Sequence, residues 1–417
     1  MKGLSKINAG AIQYVLVLSV IIIIVLFAFI SLIFLQKKTL LKSDLYKATI
    51  HSTYLSFDHL NKQDIPYDSE TKVKFSELEY EDTRILKKHW GLFDLAIVTS
   101  NLKNEKFQKI ALLGNHNKNR KAVYLKENNQ PLVLVGNTKI TGDVSLPKRG
   151  VKTGNIAGTA YYGSKLVYGT IETNTREFPQ IKNIAYLQRL IKDLPFEEVK
   201  YFNLEDDIKI NQPFTEETLL FETEGSLSLR NMSLQGNVVV VSRTRIHIFP
   251  SAKLENIIII APEVIIESNE NITCQIFASK RILVKENSKL SYPSSLTLMN
   301  DEVPNKQDEN SGIQIKDGAD VRGILLYHSS SKESSYNTQV LISEKATVTG
   351  EVYCNKNFEL LGIVNGFVYT NSFIAKQFGG VYINHIYNGT INSESISEEY
   401  SGLFIEENNS KVIKWIE

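Results

Sequence analysis

The chain has 417 residues, with 47 Lys and Arg against 46 Asp and Glu, so its formal net charge is +1. This near-neutral balance argues against nucleic acid as a partner, because neutralising phosphates requires a basic face. Hydrophobic residues make up 42% of the chain, which is enough apolar material for a folded core. The two cysteines are too few for a disulfide framework or a cysteine-rich zinc module.

An uncharged segment lies near the N-terminus, from Ile7 to Gln36, and its most apolar part is Val15 to Leu35. About 20 apolar residues in a helix cross the ~30 Å hydrocarbon layer of a membrane. A cleaved signal peptide has a shorter apolar core of about 7–15 residues, followed by small residues. We therefore predict a retained single-pass anchor over residues 1–36, which contacts membrane lipid through residues 11–35.

The lysines on the two sides of this segment bear on its orientation. Those before it are Lys2 and Lys6, and those after it are Lys37, Lys38, Lys42 and Lys47. The positive-inside rule, applied locally, favours a cytoplasmic C-terminal domain, but long domains are translocated largely regardless of such charges. We expect an extracytoplasmic C-terminal domain and keep the cytoplasmic side as the alternative.

The N-terminus resembles the start of type IV pilin-like proteins. A short basic leader precedes Gly10 and the sequence Ala11-Ile12-Gln13-Tyr14, and a long apolar helix follows. In that family a peptidase cuts after the glycine and the apolar helix packs into a filament. The family usually has Phe at the first mature position and Glu at the fifth, where this chain has Ala11 and Val15. The alternative is a plain anchor that contains a glycine.

Beyond the anchor, recurring apolar residues predict a helical stalk over 37–66. We then predict a small β-rich region over 67–134, next to the membrane, because short apolar runs alternate there with charged turns. Its segment 92–113 predicts two strands joined by a turn. The predicted strands are Lys72–Phe75, Phe93–Thr99, Lys109–Leu113, Ala122–Leu125 and Pro131–Val135.

The most informative pattern is a repeated apolar trio with spacings of two and then six residues. The trios are Ile246, Ile248 and Leu254; Val264, Ile266 and Ile272; Ile282, Val284 and Leu290; Ile313, Ile315 and Val321; Val340, Ile342 and Val348. The first three follow one another at intervals of 18 residues. Less regular members are Leu227, Leu229 and Leu234 before this set and Phe358, Leu360 and Val364 after it.

This spacing predicts a stack of β-coils. In a strand, residues i and i+2 face the same side, and stacked strands lie about 4.8 Å apart. A helical repeat would need apolar residues at i, i+3, i+4 and i+7. We therefore predict an all-β fold, a right-handed parallel β-helix (solenoid) over residues 225–392. Partial coils are expected over 135–224, with a helical insertion near 183–200, and a β-sandwich is the main alternative.

Two of the coils resemble bactofilins, which are polymer-forming right-handed β-helix proteins. That family's coils run apolar-x-apolar, a Gly/Ala turn, and then apolar-x-Gly-x-apolar, and residues 312–326 and 340–352 follow this pattern. The glycines concerned are Gly323 and Gly350, with Gly142 in an earlier piece and Gly366 in a looser one. The resemblance implies a solenoid that can polymerise, although the anchor and the insertions at 300–311 and 328–338 depart from the family.

These insertions are polar, and in solenoids such insertions form loops, which often lie near a binding face. The alternative is a surface excursion without a function. Residues 393–417 are expected to cap the end of the solenoid, because an open end exposes unpaired strand edges.

We predict no catalytic, cofactor-binding or metal-binding residues and no cofactor. The histidines show no metal-ligand spacing, and His247 should face outward because it lies between Ile246 and Ile248. The run Glu205-Asp206-Asp207 could belong to a carbohydrate-cleaving carboxylate set, but such enzymes need several carboxylates on one face. Glycine-rich residues 154–158 lack the end of a phosphate-binding loop. Cys274 and Cys354 fall about 14 Å apart along the predicted stack, too far for a disulfide, so we predict two free thiols.

These features lead to three functional hypotheses. The first is a non-enzymatic, membrane-anchored structural or scaffold protein of the bacterial envelope, such as a pilus- or surface-associated component. The second is a bactofilin-like cytoplasmic scaffold that polymerises at the inner membrane. The third is a polysaccharide-binding or polysaccharide-cleaving protein. The expected partners are membrane lipid, other copies of the chain through the solenoid ends or the apolar helix, and envelope proteins or glycans, without nucleic acid.

Overall fold

The computed structural model describes residues 9–75, 81–174, 177–196, 199–205, 207–268, 270, 272–300, 311–331, 333, 335–405 and 409–416. The chain forms two compact units. Unit 1 consists of the chain up to His59, Ser69–Leu86 and Ile97–Lys109. Unit 2 consists of Leu60–Asp68, Lys87–Ala96 and the chain from Ile110 onward.

The described secondary structure is mostly β, with a long N-terminal helix. The helices are α1 (Ala9–Leu60) and α2 (Ile184–Asp193), and Ser393–Ser395 form a 3-10 turn. The strands are β1 (Glu70–Val73), β2 (Glu81–Trp90), β3 (Phe93–Leu102), β4 (Glu105–Asn115), β5 (Val123–Leu125), β6 (Leu132–Val135), β7 (Lys139–Thr141), β8 (Val144–Leu146), β9 (Val151–Thr153), β10 (Asn155–Ile156), β11 (Thr159–Ala160), β12 (Ile171–Thr173), β13 (Val199–Tyr201), β14 (Lys209–Gln212), β15 (Thr218–Thr223), β16 (Leu227–Leu229), β17 (Ser233–Gly236), β18 (Val238–Ser242), β19 (Arg245–Ile248), β20 (Lys253–Ile260), β21 (Glu263–Ile266), β22 (Ile272–Ala278), β23 (Arg281–Val284), β24 (Lys289–Met299), β25 (Gly312–Ile315), β26 (Asp320–His328), β27 (Val340–Ile342), β28 (Thr347–Leu360), β29 (Ile363–Gln377), β30 (Gly380–Ile383), β31 (His385–Tyr387), β32 (Thr390–Asn392) and β33 (Ser410–Ile416).

In unit 1, the second part of α1 packs on an antiparallel sheet. Strands β1 to β4 are hydrogen-bonded neighbours in chain order, and the two-residue connections β2–β3 and β3–β4 are typical of antiparallel hairpins. Phe57 of the helix and Val98 of the sheet are buried. Helix α1 is continuous through the predicted anchor and stalk and ends at Leu60, whereas the stalk was predicted to reach residue 66.

The predicted two strands in 92–113 are present as β3 and β4. Strand β2 was not predicted, and its burial explains why. Its buried residues include Glu81, Thr83 and Lys87, so the strand lacks the alternation of apolar and polar residues that marks a half-buried strand. Only Ile85 and Trp90 provide buried apolar side chains there.

Unit 2 contains a large stack of parallel strands, and the trios occupy equivalent positions in it. Ile246 pairs with Val264, and Val264 pairs with Ile282. The third members pair in the same way, from Leu254 to Ile272 and on to Leu290. The less regular trios continue the same register at both ends. The register predicted from the spacing is therefore confirmed, and most of these side chains are fully buried in one apolar core.

The position of the early coils differs from the prediction. The segment around Ile140 was expected to precede the main stack, as it does in the sequence. Instead Ile140 pairs with Ile391, and Val123 pairs with Val368, so residues 122–173 extend the stack beyond its last C-terminal coil. The spacing of a sequence pattern reveals which coils are neighbours only when coils that follow one another in the sequence also stack. Here, after residues 122–173, the chain passes through α2 and then forms the opposite end of the stack, which begins at β13.

The C-terminal segment also differs from its predicted role as a cap. Strand β33 pairs antiparallel with β4, and Ser410 faces Asn115. The last coil, which contains Ile391, is covered by β7 and therefore needs no C-terminal cap. The chain enters the stacked region after Asn115 and returns beside it, because the backbone amide of Asn409 lies 3.3 Å from the Asn115 Oδ1. The stack is thus an insertion between two neighbouring strands of one antiparallel sheet.

A column of glycines marks one corner of the stack. Gly323, Gly350 and Gly366 pair with one another at φ values of 141°, 141° and 148°. A Cβ atom on Gly350 would lie 1.9 Å from the backbone oxygen of Gly323. These glycines are required by both the backbone conformation and the close approach of successive coils.

Candidate functional site

The most exposed apolar surface is the first part of α1. Its large side chains from Ile12 to Leu41 are exposed, including Phe27 at 70% and Phe34 at 69%. The helix is apolar enough over its N-terminal part to span a membrane, with none of its most apolar window buried. An aqueous exposure of this size is unfavourable, since fully burying one such side chain yields about 1.5–3 kcal/mol. This segment therefore requires a lipid or protein surface around it.

The second part of α1 meets the sheet of unit 1 through hydroxyl groups. Thr53 Oγ1 donates to Ser100 Oγ at 2.9 Å, and Thr83 Oγ1 donates to the same oxygen at 3.2 Å. Thr49, Ser52 and Ser56 are buried on the same helix, with hydrogen bonds of Thr49 and Ser56 to its backbone. Small hydroxyl residues permit close packing and satisfy one another's hydrogen-bonding groups. The second half of the helix is therefore packed against the sheet, whereas the first half is exposed.

The sequence-predicted candidates for chemistry do not come together. His247 faces outward, as predicted, and its Nε2 lies 2.6 Å from Glu267 Oε1. Glu205 and Asp207 are exposed, and Asp206 lies outside the described residues. Ala157 and Gly158 have φ values of 51° and 87°, the conformation of a tight hairpin turn between β10 and β11. In the described part of the chain, no three His, Cys, Asp or Glu residues are grouped to hold a metal ion.

The cysteines are free, as predicted, and both are buried. Cys274 lies on β22 and Cys354 on β28, three steps apart in the pairing β22–β24–β26–β28. Burial raises the pKa of the Cys354 thiol to about 12 and raises that of Cys274 further. Both thiols are therefore protonated at neutral pH and unsuited to nucleophilic chemistry.

A polar cluster around Asp94 in unit 2 was not predicted. The fully buried Asp94 accepts a hydrogen bond from the Tyr67 hydroxyl at 2.9 Å, and Lys87 Nζ lies 3.2 Å from its Oδ2. His89 Nδ1 lies 3.3 Å from Oδ1, and the His89 ring is stacked between Tyr67 and Tyr186. Tyr67 and Tyr186 come from other parts of the sequence, so only Lys87, His89 and Asp94, on two consecutive strands, could have signalled the cluster.

This cluster holds charged and aromatic side chains in contact with one another. Burial, followed by the charge of Asp94, raises the pKa of Tyr67, so its hydroxyl remains a donor. Tyr67 and Lys87 both contact Asp94 Oδ2, whereas the buried Oδ1 has His89 Nδ1 at 3.3 Å and accepts no hydrogen bond from the described residues. The arrangement joins α2 to the strand that carries His89 through stacking, and it is consistent with a structural role.

A second cluster joins the chain segments that enter and leave the stack. Arg120 Nε lies 2.6 Å from Glu351 Oε1, and both side chains are almost completely buried. The other carboxylate oxygen of Glu351 accepts from the backbone amide of Leu403 at 2.6 Å. Burial raises the pKa of Glu351, while Arg120 and the Leu403 amide oppose this rise. Arg120 also donates to the backbone oxygens of Tyr400 and Asn115.

Comparisons with known proteins give little beyond this geometry. No protein-family model and no curated protein matches the chain. One similar solved structure is the competence-associated pilin ComZ from Thermus thermophilus, at 9% sequence identity and a TM-score of 0.21, covering 89% of this chain and 96% of that chain. At this level the similarity carries no argument. No family match supports the resemblance to bactofilins.

Proposed function

We propose that this chain is a non-enzymatic, membrane-anchored, pilin-like subunit of a surface filament that carries a β-helical body outside the cytoplasm. The observation that carries the proposal is the division of α1 in unit 1. Its first part exposes apolar side chains, and its second part packs through Thr53 and Phe57 on an antiparallel sheet. Such a helix can be held in a bilayer and can also pack against the same helix of other subunits.

The parallel stack of unit 2 fits a domain that such a subunit carries outside the cytoplasm. We interpret the parallel stack of unit 2 as a right-handed β-helix, because its coils follow one another in the register of the trios. Its place in the chain, between the paired strands β4 and β33, is consistent with an added β-helical domain. At one end the stack is extended by the chain's own residues 122–173, so the coil that contains Ile391 is followed by further coils.

N-terminal processing tests this proposal. The full chain, expressed in a bacterium that assembles type IV pili, is recovered from the sheared surface fraction and from membranes, and its N-terminal peptide is measured by mass spectrometry. We expect the mature chain to begin at Ala11. The variant Gly10→Val should retain the leader and disappear from the sheared fraction, whereas Gly3→Val, a matched change in the same leader, should be processed normally.

Two results would contradict the proposal. An intact N-terminus in the wild-type chain would leave a plain membrane anchor. Protection of a C-terminal tag from protease until the inner membrane is lysed would place the body in the cytoplasm.

A further inference from the structure

A polar trough in unit 2 lies beside the coils that extend the stack and the chain segments that enter and leave it. Its volume is about 610 Å³, which falls in the range of about 300–1,000 Å³ typical of small-molecule sites. The lining includes Asn115, Asn117 and Asn119 from the segment that enters the stack. Tyr124, Ser145 and Thr173 come from the coils that extend it.

The trough exists because the outward side chains of successive coils change in size. Tyr353 pairs with Tyr369, Tyr369 pairs with Tyr124, and the rings of neighbouring tyrosines are about 6 Å apart. The next positions in the same column are Ser145 and Glu172. A serine in place of a tyrosine provides less side-chain volume over one coil spacing of about 4.8 Å, and both Ser145 and Tyr124 line the trough although each is only 8% exposed.

The charges around the trough are compensated. Lys121 Nζ lies 2.6 Å from Glu172 and 3.8 Å from Asp143. Arg120 is paired with Glu351. The remaining described lining is dominated by amides and hydroxyls, which both donate and accept hydrogen bonds. An ionic ligand would find no uncompensated charge among these residues. A ligand rich in hydroxyl groups would find both donors and acceptors of hydrogen bonds.

We infer that this trough binds a neutral oligosaccharide. The amides of Asn117 and Asn119 and the hydroxyls of Ser145 and Thr173 would bond sugar hydroxyls. The wall that carries Tyr124 is rigid, because its hydroxyl donates to Asn174 Oδ1 at 2.8 Å. The inference does not depend on filament assembly, so a failure of N-terminal processing would leave it intact.

The test measures binding to the full chain in a zwitterionic detergent that contains no sugar. The probes are cellohexaose, maltohexaose, xylohexaose and N-acetylchitohexaose, with hexagalacturonate as a charged counterpart, and the method is isothermal titration calorimetry. We expect at least one neutral probe to bind with a Kd of ~1 mM or tighter. The variant Ser145→Trp, which refills the column, should weaken that binding at least about tenfold.

Ser228→Trp is the control for a tryptophan at an outward serine, because Ser228 lies on a coil away from the trough, although it is exposed whereas Ser145 is buried. It should leave binding unchanged. If Ser145→Trp fails to fold by circular dichroism, the double variant Asn119→Ala/Thr173→Ala, at two exposed positions, should show the loss instead. Absence of binding by every neutral probe up to about 10 mM, binding of hexagalacturonate alone, or an equal loss in the control would overturn the inference.

Discussion

Arg120 and Glu351 form an ion pair with 2.6 Å between Nε and Oε1, and the carboxylate is completely buried. Replacing Arg120 by methionine leaves a buried carboxylate without its cation. Breaking a buried pair in this way costs ~3–5 kcal/mol of unfolding free energy. We expect that loss for Arg120→Met in urea unfolding of the full chain in detergent, followed by tryptophan fluorescence. The double variant Arg120→Met/Glu351→Leu should recover much of it, because no charge is then buried.

The pH dependence of this loss provides a second check. Burial raises the pKa of Glu351, so without Arg120 the buried group gains a proton more readily in the folded state than in the unfolded state. The deficit of Arg120→Met should therefore shrink as the pH falls and grow as the pH rises through the folded-state pKa. Arg322→Met, which removes a more exposed partner of Asp320, should cost less than ~1 kcal/mol at every pH. A loss of less than ~1 kcal/mol for Arg120→Met as well would contradict a buried ion pair between Arg120 and Glu351.

Glu267 on the outer face predicts the opposite pH dependence. Burial raises its pKa, but hydrogen bonds from Lys285 and His247 outweigh burial, and the net pKa lies below the ordinary value of 4.5. Between the folded-state and unfolded-state pKa values the unfolded chain binds more protons, so stability increases with pH there. Glu267→Gln should therefore lose up to ~1 kcal/mol at pH 7.

This difference from the wild type should vanish as the pH falls through the folded-state pKa, because Glu267 is then protonated in both states. The exposed Glu286, on the turn after β23, provides the control. Glu286→Gln should be nearly neutral across the same titration. A Glu267→Gln deficit that persists at acidic pH would show that packing, and not charge, accounts for it.

The sequence predicted the interior of the stack better than its ends. The trio of Ile246, Ile248 and Leu254 reveals its neighbours because the next two coils each add 18 residues and bury the same positions. The pairing of Ile140 with Ile391 produces no repeat spacing in the sequence, because the two residues belong to distant parts of the chain. A regular period therefore identifies consecutive coils, and only three-dimensional geometry identifies the coils that meet at an end.

The clusters and the trough were missed for a related reason. Asp94, Tyr67 and Tyr186 belong to three separate segments, and none of them lies in a recognisable motif. The trough depends on a tyrosine-to-serine change at an outward position, and outward positions are not constrained by the apolar pattern. Cores with a strict period can be read from one sequence, whereas surface sites formed by distant segments cannot.

The two cysteines provide a test of burial in the stack. Cys274 and Cys354 are buried, and the raised pKa of each thiol keeps the thiolate fraction very small at neutral pH. We expect both to resist Ellman's reagent in the native chain and both to react in guanidinium without a reductant. Ser226→Cys, at an exposed turn, should add one thiol that reacts at once. Loss of thiol titre under denaturing conditions would reveal a disulfide and contradict the coil register.

Gly350 tests the corner column directly. Its φ of 141° is unfavourable for any residue with a Cβ atom, and that atom would lie 1.9 Å from the backbone oxygen of Gly323. The obstacle is backbone on the neighbouring coil, which cannot rotate away as a side chain can, so Gly350→Ala must shift two coils apart. We expect a loss of at least ~2 kcal/mol in the urea experiment. Gly225→Ala is the control, because a Cβ there meets nothing within 4 Å, and it should change stability by less than about 0.5 kcal/mol. Equal stability of the two variants would mean that the coils do not approach as closely as the pairing of Gly323 with Gly350 requires.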